Sequence, residues 1–92
     1  MAGVARLTFT SQLQRFTPTP ELETRATTLR AALEEAFGLN PQLRGYVLDE
    51  QGHLRPHVVV YIDGRPVRDR SSLADPLRQG DRVYVLQALT GG

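Results

Sequence analysis

A chain of 92 residues makes one domain, burying roughly 60–65% of the surface its unfolded form exposes, with no room for a deep catalytic cleft. Hydrophobic content of 40% and charge of 23% are those of an ordinary soluble globular chain, and a net charge of +1 argues against a nucleic-acid binder held by bulk electrostatics. With no cysteine there is no disulfide framework, no thiolate nucleophile and no cysteine-based zinc site.

In chain order, Ala5, Leu7 and Phe9 alternate with Arg6, Thr8 and Thr10, which predicts a half-buried first strand over 4–10. Residues 1–20 mix Arg, Gln and Thr, so no signal peptide or membrane span is expected and a cytoplasmic location is the default. Thr17-Pro18-Thr19-Pro20 is a stiff, non-helical stretch, and a short second strand is expected over 21–25, in a hairpin with the first.

The clearest helix follows. Thr27 or Thr28 can cap it, and Leu29, Ala32, Leu33, Ala36 and Phe37 recur at helical spacing as a core stripe. Arg30, Glu34 and Glu35 fall on its wet side, and Gly38 is expected to end it, with Asn40-Pro41 beyond. A turn of helix over 41–44, a short strand over 46–48, and a turn at 49–52 across which His53-Leu54 pairs back complete the middle of the chain.

His57 to Asp63 is the strongest strand signal, and Asp63-Gly64 the strongest turn, because Asp-Gly tolerates the positive φ angles of a tight hairpin. Residues 65–68 should return as a short partner strand. A connector over 71–79, anchored by Leu73 and Leu77, then leads through Gly80-Asp81 into a final apolar strand. That strand runs into Gln87-Ala88-Leu89-Thr90-Gly91-Gly92. Glycine has no Cβ, so a diglycine tip threads slots closed to other residues, and the carboxylate of Gly92 becomes the one group that can be pushed into a partner's active site.

No conventional catalytic constellation is present. His53 and His57 have no third ligand in view, so no metal site is expected. No glycine spacing makes a phosphate loop. Arg65, Arg68, Arg70, Arg78 and Arg82 interleave with aspartates as a solvated basic face. All eleven basic residues are arginine and none is lysine, a pattern that GC-rich coding also produces. Its chemical consequence is that only the N-terminus offers an amine for acylation. Both faces of the two best strands are apolar. With Val58, Val60, Ile62, Val83 and Val85 turned to the helix, Val59, Tyr61, Tyr84 and Leu86 face outward beside the root of the tail. Contiguous apolar surface on so small a domain marks a partner site, and tyrosine is enriched in such sites.

The strand order, the Thr28-Leu29-x-x-x-Leu33 helix start, Tyr61-Ile62-Asp63-Gly64, Leu77-x-x-Gly80-Asp81 and a hydrophobic last strand ending in Gly91-Gly92 together resemble the MoaD/ThiS family of ubiquitin-like sulfur carriers. The resemblance implies an α+β fold, a ubiquitin-like β-grasp with a mixed four- to five-stranded sheet on one main helix. It implies a single domain over 1–92 with 87–92 as a flexible tail, and a protein that is not itself an enzyme. A ubiquitin-activating-type partner would join the Gly92 carboxylate to AMP, consuming ATP, with no cofactor bound to the carrier. Persulfide or sulfide would then give a thiocarboxylate that donates sulfur in biosynthesis (of cysteine, molybdopterin or a related product) on an acceptor enzyme. Gly91, Thr90 and Leu89 would thread the partner's active site and channel, while Val59, Tyr61, Tyr84 and Leu86 would dock on its surface. No nucleic acid or membrane is implied. The alternative is a protein modifier joined through Gly92 to lysines of target proteins by conjugation machinery. A third reading is an interaction module whose tail is unused.

Overall fold

The computed structural model describes residues 4–10 and 21–87. Five strands and two helices follow one another as β1 (Ala5–Phe9), β2 (Leu22–Thr24), α1 (Leu29–Leu39), α2 (Pro41–Val47), β3 (Val58–Ile62), β4 (Arg65–Pro66) and β5 (Arg82–Gln87). They build one mixed sheet in the order β2-β1-β5-β3-β4. The α+β class and the ubiquitin-like β-grasp arrangement expected from the sequence are those observed.

β5 is the middle strand. It runs parallel to β1, with Leu7 beside Val83 and Phe9 beside Val85, and antiparallel to β3, with Val60 opposite Val85 and Ile62 opposite Val83. Period-two alternation sends all these side chains to one face, where Leu7, Val58, Val60, Val83 and Val85 are completely buried. Against that face lies the stripe of α1, whose Leu29, Ala32, Leu33 and Ala36 are no more than 1% exposed. Burying each of the larger side chains contributes roughly 1.5–3 kcal/mol, so this single layer interface dominates the stability of the fold.

Helix α1 starts where Thr28 Oγ1 accepts from the Ala31 amide at 3.3 Å, one of the two caps expected. Two further free amides of its first turn are satisfied from the connector: Leu29 N–H donates to Asp75 O and Arg30 N–H to Leu73 O, both at 2.9 Å. The helix does not stop at Gly38 but reaches Leu39. Asn40 ends it and begins the next: its N–H donates to Ala36 O at 3.0 Å, while its Oδ1 accepts from the Gln42 amide at 3.2 Å, with Pro41 in the first turn of α2. Proline fits that position because its missing N–H would have no partner there.

Three other expectations change. Tyr46 and Val47 are helical, because Leu43 and Val47, four apart, are both fully buried on one face of α2. Only Leu48 bridges back, to Leu54. The partner strand shortens to Arg65–Pro66, followed by one further bond from Val67 N–H to Val60 O at 2.9 Å; proline is accommodated because β4 is the edge strand. The hairpin turn itself is as expected, with Asp63 at φ 52° and Gly64 at φ 85°, the signs of a type I′ turn.

Arginines that read as solvated are structural. Arg30 Nε donates to Ser72 O at 2.9 Å, and its Nη2 donates to Gly52 O at 2.8 Å and Ser71 O at 2.9 Å. Arg70 Nη2 donates to Arg55 O at 2.7 Å and Val58 O at 2.6 Å, which removes it from the solvated basic group. Asp69 anchors the same loop by accepting from the Ser72 hydroxyl and from the Ser71 and Ser72 amides. The Ser72 hydroxyl first, and then the amides, hold its carboxyl below the ordinary aspartate range. Asp49 is lowered too, chiefly by the His53 amide.

Arg30→Lys keeps the charge but cannot reproduce the guanidinium fork. It is expected to lower stability by about 1–2 kcal/mol in urea unfolding. Because both aspartates are depressed in the folded state, their contribution is complete at neutral pH and disappears as the pH falls through the lowered values. The loss of stability between about pH 5 and pH 3 should therefore be smaller in an Asp49→Asn, Asp69→Asn double variant than in the parent.

Candidate functional site

Residues that alternate with the core on β3 and β5 turn to the opposite face of the sheet. Register pairs Val59 with Leu86 and Tyr61 with Tyr84, so the four residues singled out from the sequence form two facing pairs on adjacent strands. Directly opposed antiparallel residues have Cβ atoms about 4.5–5.5 Å apart, and side chains of this size pack across that gap. Tyr84 is 39% exposed, while Val59, Tyr61 and Leu86 are half-buried. The patch is therefore partly self-shielded, and Tyr84 stands highest.

On the other side of β5, Thr8 lies beside Tyr84 and Arg6 beside Arg82. Arg6 reaches Glu21 at 3.5 Å and Glu23 at 3.9 Å, surface ion pairs of modest worth. With Val4, Thr8 and Tyr84 these side chains line an open hollow. The outer face is thus apolar over β3 and β5 and charged over β1 and β2. Sequence reasoning missed the charged half, because β2 is only three residues long and its alternation is too short to read. The pairing of Arg6 with Glu23 across the hairpin was the available signal.

β5 remains paired to its last residue: Gln87 lies opposite Val58. Gln87, expected as the first residue of the tail, is thus the last residue of β5. Leu89, Thr90, Gly91 and Gly92 lie outside the described residues. Among the described residues, no three His, Cys, Asp or Glu side chains gather where they could hold a metal. No described helix is long and apolar enough to cross a membrane.

The family model of the ThiS family matches residues 7–92, from within β1 through the diglycine. The chain belongs to the ThiS family. Members of this family are small ubiquitin-like carrier proteins, and the fold of the ThiS-family chain is repeated in several solved structures. The crystal structure of SAMP1 from Haloferax volcanii has a TM-score of 0.79 at 20% identity, over 98% of this chain and 100% of that one. The Haloferax volcanii HVO 2177 protein is similar at 25% identity and a TM-score of 0.74, over 98% of this chain and 87% of that one. A chain of the Amycolatopsis orientalis BexX/CysO complex matches with a TM-score of 0.78 at 19% identity, over 96% of this chain and 99% of that one. A search of curated protein sequences gives no match.

Neighbouring residues of β5 should differ sharply in structural weight. Tyr84→Ala, on the outer face, is expected to cost under about 1 kcal/mol. Val85→Ala, turned into the core, should cost about 2 kcal/mol. Urea unfolding of the two variants measures the contrast.

Proposed function

We propose that this chain is a sulfur carrier whose working group is the carboxylate of Gly92. The observation that carries the reading is the placement of β5, paired on both sides as far as Val85 and with β3 through Gln87, with the Tyr61–Tyr84 and Val59–Leu86 pairs beside its end and Gly91-Gly92 following in the sequence. A partner that grips this face holds the end of β5 at its contact surface.

In the proposed cycle a ubiquitin-activating-type enzyme binds Val59, Tyr61, Tyr84 and Leu86 and draws in Leu89, Thr90 and Gly91. The Gly92 carboxylate attacks the α-phosphate of ATP, releasing pyrophosphate and forming an acyl-adenylate. A carboxylate alone is a poor electrophile, and AMP supplies the leaving group. A sulfide equivalent then attacks the carbonyl carbon, AMP departs, and Gly92 carries a thiocarboxylate for a sulfur-accepting biosynthetic enzyme. The carrier binds no cofactor and supplies no catalytic side chain, and its place of work is the cytoplasm. A second reading, conjugation of Gly92 to lysines of target proteins, is favoured by the names of the Haloferax volcanii relatives, small archaeal modifier protein among them. Adenylation of the same carboxylate begins both routes.

Incubation with the activating enzyme, ATP and a sulfur source is expected to shift the intact mass by one oxygen-to-sulfur exchange, and removal of Gly92 should abolish the shift. Adenylation without that exchange, accompanied by reductant-resistant adducts on other proteins, would establish the modifier instead. Tyr84→Ala should weaken binding to the activating enzyme at least about tenfold, the effect of losing a central aromatic anchor, with the fold retained.

A further inference from the structure

The arginines of this chain divide by what holds them. Arg30, Arg55 and Arg70 donate to backbone carbonyls, and Arg6 and Arg44 pair with glutamates. Arg65, Arg68 and Arg78 find no such partner among the described residues. All three are exposed, and all three line one groove, between the β3–β4 hairpin and the connector that leads into β5. Its floor is apolar: Ile62 and Val67 belong to the core, with Pro66 and Pro76 exposed beside them. The core lies on the helix side of the sheet, so the groove is turned away from Tyr61 and Tyr84. Ile62 stands opposite Val83, which puts the groove near the start of β5 and away from its Gln87 end. Its volume of about 550 Å³ suits a few ligand side chains.

The lining restricts the ligand's chemistry. Guanidinium groups take carboxylates or phosphates in a planar fork. A lone phosphate is best held by a cradle of backbone amides, and the groove has none to spare. Pro66 and Pro76 carry no N–H, while those of Val67, Leu77 and Arg78 donate to Val60 O, Thr27 O and Asp81 Oδ2. Asp75 and Asp81 line the same groove, so a dense polyanion meets repulsion as well as attraction. Asp75 is half-buried, and its buried Oδ1 has no donor, a deficit that a ligand N–H can relieve. An acidic peptide brings carboxylates along an extended chain, amides between them, and apolar side chains for the floor. A phosphate group offers no apolar contact.

We propose that this groove is a docking site for an acidic segment of a partner protein. The segment's carboxylates are held by Arg65, Arg68 and Arg78, and its apolar side chains rest on Ile62, Val67 and the two prolines. Because the groove and the tyrosine pairs face opposite ways, the segment and an enzyme on the outer face can be bound at once.

The isotope-labelled full chain is titrated at low salt, where exposed charges are least screened, and its amide resonances are followed. The probe is an N-acetylated, C-amidated peptide alternating glutamate with leucine. The controls are its glutamine counterpart and inorganic phosphate. The glutamate peptide is expected to shift amides of residues 62–68 and 75–81 with a millimolar or tighter Kd, at least tenfold tighter than either control. Arg68→Gln and Arg78→Gln together should weaken it at least tenfold, and each alone severalfold. These side chains make no bond within the fold, so unchanged urea unfolding confirms intact variants. Arg44→Gln removes the same single charge from α2 and should change the Kd less than twofold.

No shift at millimolar peptide would overturn the proposal, as would shifts centred on Tyr61 and Tyr84. Phosphate binding as tight as the peptide's would show a simple anion site instead. A loss from Arg44→Gln equal to that from Arg78→Gln would reduce the effect to bulk charge. No activating enzyme takes part, so these outcomes are independent of the chemistry proposed for Gly92.

Discussion

The constraint on which the molecule depends is the parallel pairing of the first strand with the last at the centre of the sheet. A parallel pair cannot be closed by a tight turn, so the chain between β1 and β5 has to cross over, and besides β2, β3 and β4, which extend the sheet, it has to supply the cover for one face. Helix α1 does so, and its Leu29, Ala32, Leu33 and Ala36 meet Leu7, Val60, Val83 and Val85 in one core. The same pairing makes β5 an interior strand as far as Val85, with β1 on one flank and β3 on the other, and β3 alone accompanies it on to Gln87. The strand is therefore held by two ladders of backbone hydrogen bonds over most of its length and by the β3 ladder at its end.

The return path from β4 to β5 is held by polar contacts more than by regular structure. Leu73 is fully buried at φ 56°, a left-handed conformation unfavourable for a bulky side chain. It persists because its neighbours over-determine it. Its carbonyl accepts from Arg30 N–H, Arg30 grips Ser71 and Ser72, and Asp69 closes the turn on those serines. Helix α1 and this connector therefore cap one another: the connector's carbonyls satisfy the helix's free amides, and the helix's arginine satisfies the connector's free carbonyls. That reciprocity lets a segment with no strand or helix of its own deliver β5 in register.

Much of this was legible in the chain. Leu29, Ala32, Leu33, Ala36 and Phe37 stand at a period only a helix satisfies, and Val58-Val59-Val60-Tyr61-Ile62 followed by Asp63-Gly64 reads as a strand and its turn. From these two elements the inward and outward faces of β3 and β5 follow by alternation, which is why Val59, Tyr61, Tyr84 and Leu86 could be named together. Local signals failed where a distant contact decides. Gly38 looked like a helix end, but Asn40 and Pro41 set the boundary. Tyr46 and Val47 have strand-forming side chains, yet burial of Leu43 and Val47 on one face outweighs that preference. Arg30 and Arg70 read as solvated because their partners are carbonyls 12 to 42 residues away in sequence, and no window along the chain contains both ends of such a bond.

The division of the outer face suits a protein that has to be released as well as bound. On the reading proposed here, the carrier docks on one enzyme to be loaded and on another to be discharged. An interface of two self-shielded pairs, with Tyr84 alone standing clear, offers one aromatic anchor where tight complexes centre on clusters of them. Beside it Arg6 is already neutralised by Glu21 and Glu23, so the charged half presents little field to lengthen an encounter. Specificity then rests on a second requirement, that the partner also admit a diglycine tip without side chains. Neither element has to bind strongly when a productive complex needs both.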